Sequence, residues 1–152
     1  MNSQPAQPPD ALRATSGPIT LLLVDDSPVF LKAAARFLEE QCGEEVRIAG
    51  TASDGAEGLR QAQTLHPHVV VLDLRMSGMS GLDVIPKLRA TLPEVRIIVL
   101  TQLEGDEYRR AVLARGADAF IAKTTMEHDL PGAIRQVVGS RGSGHDEPPA
   151  GT

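Results

Sequence analysis

Apolar and polar residues alternate in blocks through the middle of this chain. Short unbroken apolar runs are followed by longer stretches in which apolar positions recur every three or four residues. The runs fall at 19–24, 46–49, 69–72, 96–100 and 119–122, and their Val, Ile and Leu content predicts strands, most of them buried on both faces. The stretches between and after them predict helices. Over 28–41, Val29, Ala33 and Phe37 with Phe30, Ala34 and Leu38 form an apolar stripe, leaving Lys32, Arg36, Glu39 and Glu40 largely outside it. Ser27 is placed to cap this helix, Pro28 takes its first position and Gly43 ends it. After Asp54 and Gly55, a weaker stripe comprises Ala56, Leu59, Ala62 and Gln63. Leu82, Ile85, Leu88 and Leu92 mark the helix at 82–91, and Tyr108, Ala111, Val112 and Arg115 the one at 105–115. In the last helix Leu130, Ala133, Ile134, Val137 and Val138 align, but Pro131 and Gly132 interrupt. Proline fits only a first turn, so the regular part is expected to begin near Asp129.

Five strands alternating with five helices predict a parallel sheet covered on both faces. The expected fold is α/β, a flavodoxin-like doubly wound sheet of strand order 2-1-3-4-5. Residues 19–138 make one domain, flanked by polar, Pro- and Gly-rich segments at 1–18 and 139–152 with the composition of disordered tails.

In such a sheet the carboxyl ends of the strands converge on one rim, where ligands bind. Asp25 and Asp26 follow the first strand, Asp73 the third, Thr101 the fourth and Lys123 the fifth. Three carboxylates are hard oxygen donors suited to Mg²⁺, which keeps several waters and needs only one or two of them. Adjacent aspartates repel each other unless a cation joins them. Asp73 precedes a Gly-rich loop and can attack phosphorus to give an acyl phosphate. A hydroxyl from Thr101 and an ammonium from Lys123 can each hold a phosphoryl oxygen, and phosphoryl transfer needs mostly such positioning and charge neutralisation. Taken singly, each has a plainer reading: Asp26 or Ser27 as a helix cap, Asp73 as a strand-ending acid, Thr101 as a cap, Lys123 as a solvated strand end. Together on one rim they favour the chemical reading.

Composition narrows the rest. A net charge of −5, three Phe, one Tyr and no Trp supply neither a broad basic surface nor stacking platforms, so no direct nucleic-acid binding is expected. The single Cys42 rules out an internal disulfide. No apolar stretch approaches the roughly 20 residues of a membrane span, and residues 1–18 lack a signal-peptide pattern, so a cytoplasmic protein is expected. His66, His68, His128 and His145 have no partners at metal-ligand spacing, and His66 to His68 reads as a loop.

The motifs LLLVDDSP, VVVLDLRMSGMSGLDVI, IIVLTQ and GADAFIAK, in that order, resemble the receiver domain of two-component response regulators, in particular the stand-alone kind such as the chemotaxis regulator. The resemblance runs from Ile19 to Val138. It implies Asp73 as phosphoacceptor, Asp25, Asp26 and the Arg75 carbonyl with Asp73 as the Mg²⁺ site, Thr101 and Lys123 on the phosphoryl group, and Thr101 with Phe120 as a switch pair. It implies a histidine kinase or phosphotransfer protein as donor, docking on the 28–41 helix, and a further protein downstream. The signalling surface would be the 105–115 helix, the fifth strand and the last helix, by which a phosphorylation-dependent homodimer could also form. The protein would be no enzyme, but an acceptor with at most its own dephosphorylation. Ser77, Gln102 and Thr124 stand where the family usually has Pro, a small residue and Pro. Arg75 and Leu103 occupy positions that tune dephosphorylation, and their bulk predicts a long-lived phosphate. Two alternatives stay open: a phosphorylation-independent interaction module and the receiver fragment of a DNA-binding regulator.

Overall fold

A strand in which every side chain is buried must lie inside a sheet covered on both faces, and Val69–Leu72 is such a strand. In a computed structural model, which describes residues 17–103 and 105–144, five parallel strands run in the order β2-β1-β3-β4-β5. They are β1 Ile19–Val24, β2 Val46–Ala52, β3 Val69–Leu72, β4 Arg96–Thr101 and β5 Ala119–Ala122. The helices are α1 Pro28–Cys42, α2 Gly55–Leu65, α3 Gly81–Thr91, α4 Asp106–Ala114 and α5 Met126–Gly144. Alternate strand residues feed two cores. Leu21, Leu23, Val69, Val71, Ile98 and Leu100 pack with α1 and α5, while Leu22, Val24, Val70, Leu72, Ile97 and Val99 pack with α2, α3 and α4.

The strand order and alternation are as expected, and the differences have local causes. Strand β2 extends to Ala52 because a bulge absorbs Ala49: Leu21 pairs Ile48, Leu22 pairs Gly50, and the ladder then continues to Val24 and Ala52. In α1 the Ser27 hydroxyl accepts from the Phe30 amide at 3.1 Å and Gly43 closes the helix at φ 53°. Its buried stripe is Leu31, Ala34, Leu38 and Cys42, whereas Val29 is 79% exposed. The first turn thus leaves Val29 in solvent. Helix α2 buries Gly55, Gly58 and Ala62 rather than its larger residues, since the small face permits close approach to Val24 at Gly58 and to Val84 and Met79 at Gly55. Helix α5 starts at Met126, not near Asp129: buried Met126 and Leu130 anchor its first turns despite Pro131, tertiary packing overriding local preference. It also runs to Gly144, past the expected domain end at Val138. Apart from Gly17 and Pro18, the segment at 1–18 lies outside the described residues, as does 145–152.

Two contacts fix the frame below the rim. Arg89 of α3 donates to the carbonyls of Pro93, Val95 and Gly116 and to the Asp118 carboxylate at 2.8 Å, and Asp118 also accepts from the Ile97 amide at 2.8 Å. One guanidinium thereby ties α3 to the turns that enter β4 and β5. At the other end of β3, His68 Nδ1 accepts the Thr20 amide at 2.9 Å, while the His68 amide donates back to the Thr20 carbonyl at 3.0 Å.

Candidate functional site

Strand order reverses between β1 and β3, and the acids sit at that switch point. The backbone sets them there: the Asp25 amide donates to the Ala52 carbonyl and the Asp73 amide to the Val24 carbonyl, both at 3.0 Å, so each residue extends its ladder by one step. Asp25 and Asp73 are buried and Asp26 is exposed. One carboxylate oxygen from each of the three lies within 4.8 Å of the others. They open on a cleft of about 720 Å³, which Ser27, Phe30, Arg75, Ser80, Gln102 and Lys123 also line.

Lys123 crosses the cleft floor. Its Nζ lies 2.6 Å from Asp25 Oδ2 and 3.3 Å from Asp73 Oδ2. Asp25 Oδ1 accepts the Ser27 amide at 2.9 Å. Burial nevertheless raises the Asp25 pKa above its ordinary 3.8, with Asp73 adding to the rise and Lys123 and the Ser27 amide opposing it. Asp73 Oδ1 faces the Arg75 amide at 3.4 Å, a long contact. Close packing of the α3 start brings this loop in. A Cβ on Gly81 would stand 2.4 Å from the Asp73 carbonyl oxygen and 2.7 Å from Leu74 Cα, so only glycine fits.

The structure therefore gathers Asp25, Asp26, Asp73, Arg75 and Lys123 in one cleft. Thr101 and Phe120 are not among its lining residues. Thr101 is fully buried at the end of β4, its hydroxyl accepting from the Leu103 amide at 3.3 Å. Phe120, half-buried, packs against the core under α4 and also lines a separate cleft between α4, β5 and α5. One contributor escapes a reading by periodicity. Phe30 fits the apolar stripe of α1, yet its ring centre lies 4.0 Å from Lys123 Nζ. Its place in the first turn after the Asp pair was the available signal.

A doubly wound sheet with an acidic cleft and a lysine at its switch point defines a class of rim-site α/β domains to which receivers belong. The chain belongs to the response regulator receiver domain family, whose model matches residues 21–135. It is similar to the transcriptional regulatory protein LiaR of Bacillus subtilis, 37% identical over 77% of this chain and 54% of that protein. It is also similar to the nitrate/nitrite response regulator protein NarL of Escherichia coli, 34% identical over 80% of this chain and 55% of that protein. The chain thus spans about half the length of these relatives. Among solved structures it resembles the signal receiver domain of the response regulator NarL from Mycobacterium tuberculosis, with TM-score 0.74 and 25% identity over 80% of this chain and 97% of that one. The isolated receiver domain of RcsB from Salmonella enterica gives TM-score 0.72 and 26% identity over 82% and 97%. Among the described residues no helix is long and apolar enough to cross a membrane.

Proposed function

We propose that Asp73 accepts a phosphoryl group from a histidine kinase or phosphotransfer protein and that the modified domain signals by a change of its surface. The observation that carries this reading is the Lys123 ammonium within 3.3 Å of a buried Asp73 carboxylate in an open cleft. An Asp73 oxygen forms the new bond to phosphorus as the donor's P–N bond breaks, and the imidazole leaves with the bonding pair. Asp25, Asp26 and Asp73, with the Arg75 carbonyl, would hold Mg²⁺, which when bound offsets negative charge between carboxylate and phosphoryl oxygens. Lys123 leaves Asp25 for a phosphoryl oxygen. The Thr101 hydroxyl leaves the Leu103 amide for another, and Phe120 follows into the space beside it. That movement biases the surface of α4, β5 and α5 between two states. The exposed Val29 beside the cleft suits docking of the donor. The chain is then its own substrate rather than an enzyme, and the bulk of Arg75 and Leu103 keeps the phosphate long-lived; decay within seconds would contradict that.

The test is intact mass after incubation with acetyl phosphate and Mg²⁺. The wild type should gain one phosphoryl group and Asp73→Asn none. Folded, Mg²⁺-exposed protein that gains nothing would instead be a phosphorylation-independent interaction module. Output is a separate question. The matched part makes up 54% of LiaR and 55% of NarL, and LiaR is a transcriptional regulator, which favours a receiver that controls a DNA-binding partner or region over a diffusible switch. A transcriptional effect lost in Asp73→Asn would support this.

A further inference from the structure

The three N–H bonds of the Lys123 ammonium have three destinations. Two are carboxylate oxygens, Asp25 Oδ2 at 2.6 Å and Asp73 Oδ2 at 3.3 Å. The third side is covered by the Phe30 ring, its centroid 4.0 Å from Nζ. Water has little access, since the Lys123 side chain is only 12% exposed. The ring itself is well held. Phe30 lies in the first turn of α1, its amide engaged by the Ser27 cap at 3.1 Å, and its side chain packs on the core formed by α1 and α5. It also lines the narrow gap beneath Asp25 and Asp73.

We infer that Phe30 is a positioning residue of the phosphoryl site, its ring face holding the Lys123 ammonium over Asp73 by a cation–π contact. This rests on the reading of Asp73 as phosphoacceptor. The chemistry of the ring suits the task. A third carboxylate would pair the ammonium and quench its charge, whereas a ring face attracts the cation and leaves the charge available. The attraction has no preferred hydrogen-bond direction, so Nζ can exchange Asp25 for a phosphoryl oxygen without losing its third contact. An aliphatic side chain at the same place would exclude water and offer nothing in return.

The experiment uses the whole chain with Phe30→Leu and Phe30→Tyr, the second keeping the ring face. Without phosphodonor, the Lys123 ε-methylene protons should be shifted upfield by the ring in wild type and Phe30→Tyr, and return to ordinary values in Phe30→Leu. With acetyl phosphate and Mg²⁺, Phe30→Leu should slow phosphorylation about fivefold or more, the scale of a partly desolvated cation–π contact, and Phe30→Tyr should restore most of the rate. An unshifted Lys123 in wild type, or a folded Phe30→Leu that phosphorylates at the wild-type rate, would overturn the inference. A wild type that takes up no phosphoryl group would instead defeat the phosphoacceptor reading itself, and the positioning role of Phe30 with it.

Discussion

Asp26→Asn should make the metal-free protein more stable. Three carboxylates share a space of 4.8 Å, and the single ammonium among them is committed to Asp25 and Asp73. Asp26 forms no ion pair with the described residues, so it faces two like charges and only the more distant part of one opposite charge. That leaves about one unbalanced repulsion. At 4.8 Å and an effective dielectric constant of about 40–80 for an exposed group, it amounts to about 1–2 kcal/mol. Asparagine keeps the shape and removes the charge. Urea unfolding in chelator and low salt, followed by far-UV circular dichroism because the chain has no Trp, should show a midpoint higher by roughly 0.5–1 M. The gain should shrink in about 1 M salt, where the screening length falls to about 3 Å. Saturating Mg²⁺ should stabilise the wild type by mass action and the variant far less, narrowing the gap between them. An Asp26→Asn protein no more stable than wild type in chelator, or a gain indifferent to salt, would refute the electrostatic reasoning.

Arg89→Met should cost about 2–4 kcal/mol, because it strands three carbonyls and the Asp118 carboxylate. Arg89→Lys should recover less than half, as an ammonium cannot span these acceptors; an Arg89→Lys midpoint equal to that of wild type would contradict this. Gly81→Ala should destabilise by about 1–3 kcal/mol and slow Asp73 phosphorylation, since the added Cβ meets backbone that cannot yield without moving Asp73. A variant of wild-type stability and rate would show the loop to be more yielding than its packing implies. Partial burial, with Arg96 nearby, holds the His68 pKa below its ordinary 6.5. The unfolded chain therefore takes up this proton first as pH falls, so the contribution is whole above about pH 6.5 and is lost towards the folded-state pKa. Protonation of Nδ1 also breaks its bond from the Thr20 amide. Stability measured from about pH 8 to pH 5 should fall less steeply in His68→Asn, and parallel profiles would exclude the role.

The strands themselves and the positions of Asp25, Asp26, Asp73 and Lys123 were legible in the sequence for a common reason. A strand buried on both faces must be an unbroken apolar run, as Val69–Leu72 is, so the first charged residue after it marks the rim. Caps were legible because they are local: Ser27 serves the amide three residues on, and Gly43 adopts a backbone conformation that other residues avoid.

What lies across the sheet was not legible. Periodicity places Phe30 on a stripe, but the orientation of the first turn of α1 decides that its ring meets Lys123, 93 positions further along the chain. Burial of Gly55 and Gly58 rather than the larger residues of α2 depends on the close approach of Val84, Met79 and Val24, and the start of α5 at Met126 on the core that receives it. His68 lies in a loop, as expected, but its bonds with the Thr20 amide and hydroxyl, 48 positions away, were not legible. The sequence by itself determined which elements form and which residues reach the rim, since hydrophobic period and capping act over a few residues. The tertiary structure alone decided which side chains meet there, because contacts between distant segments depend on how helices seat against the sheet.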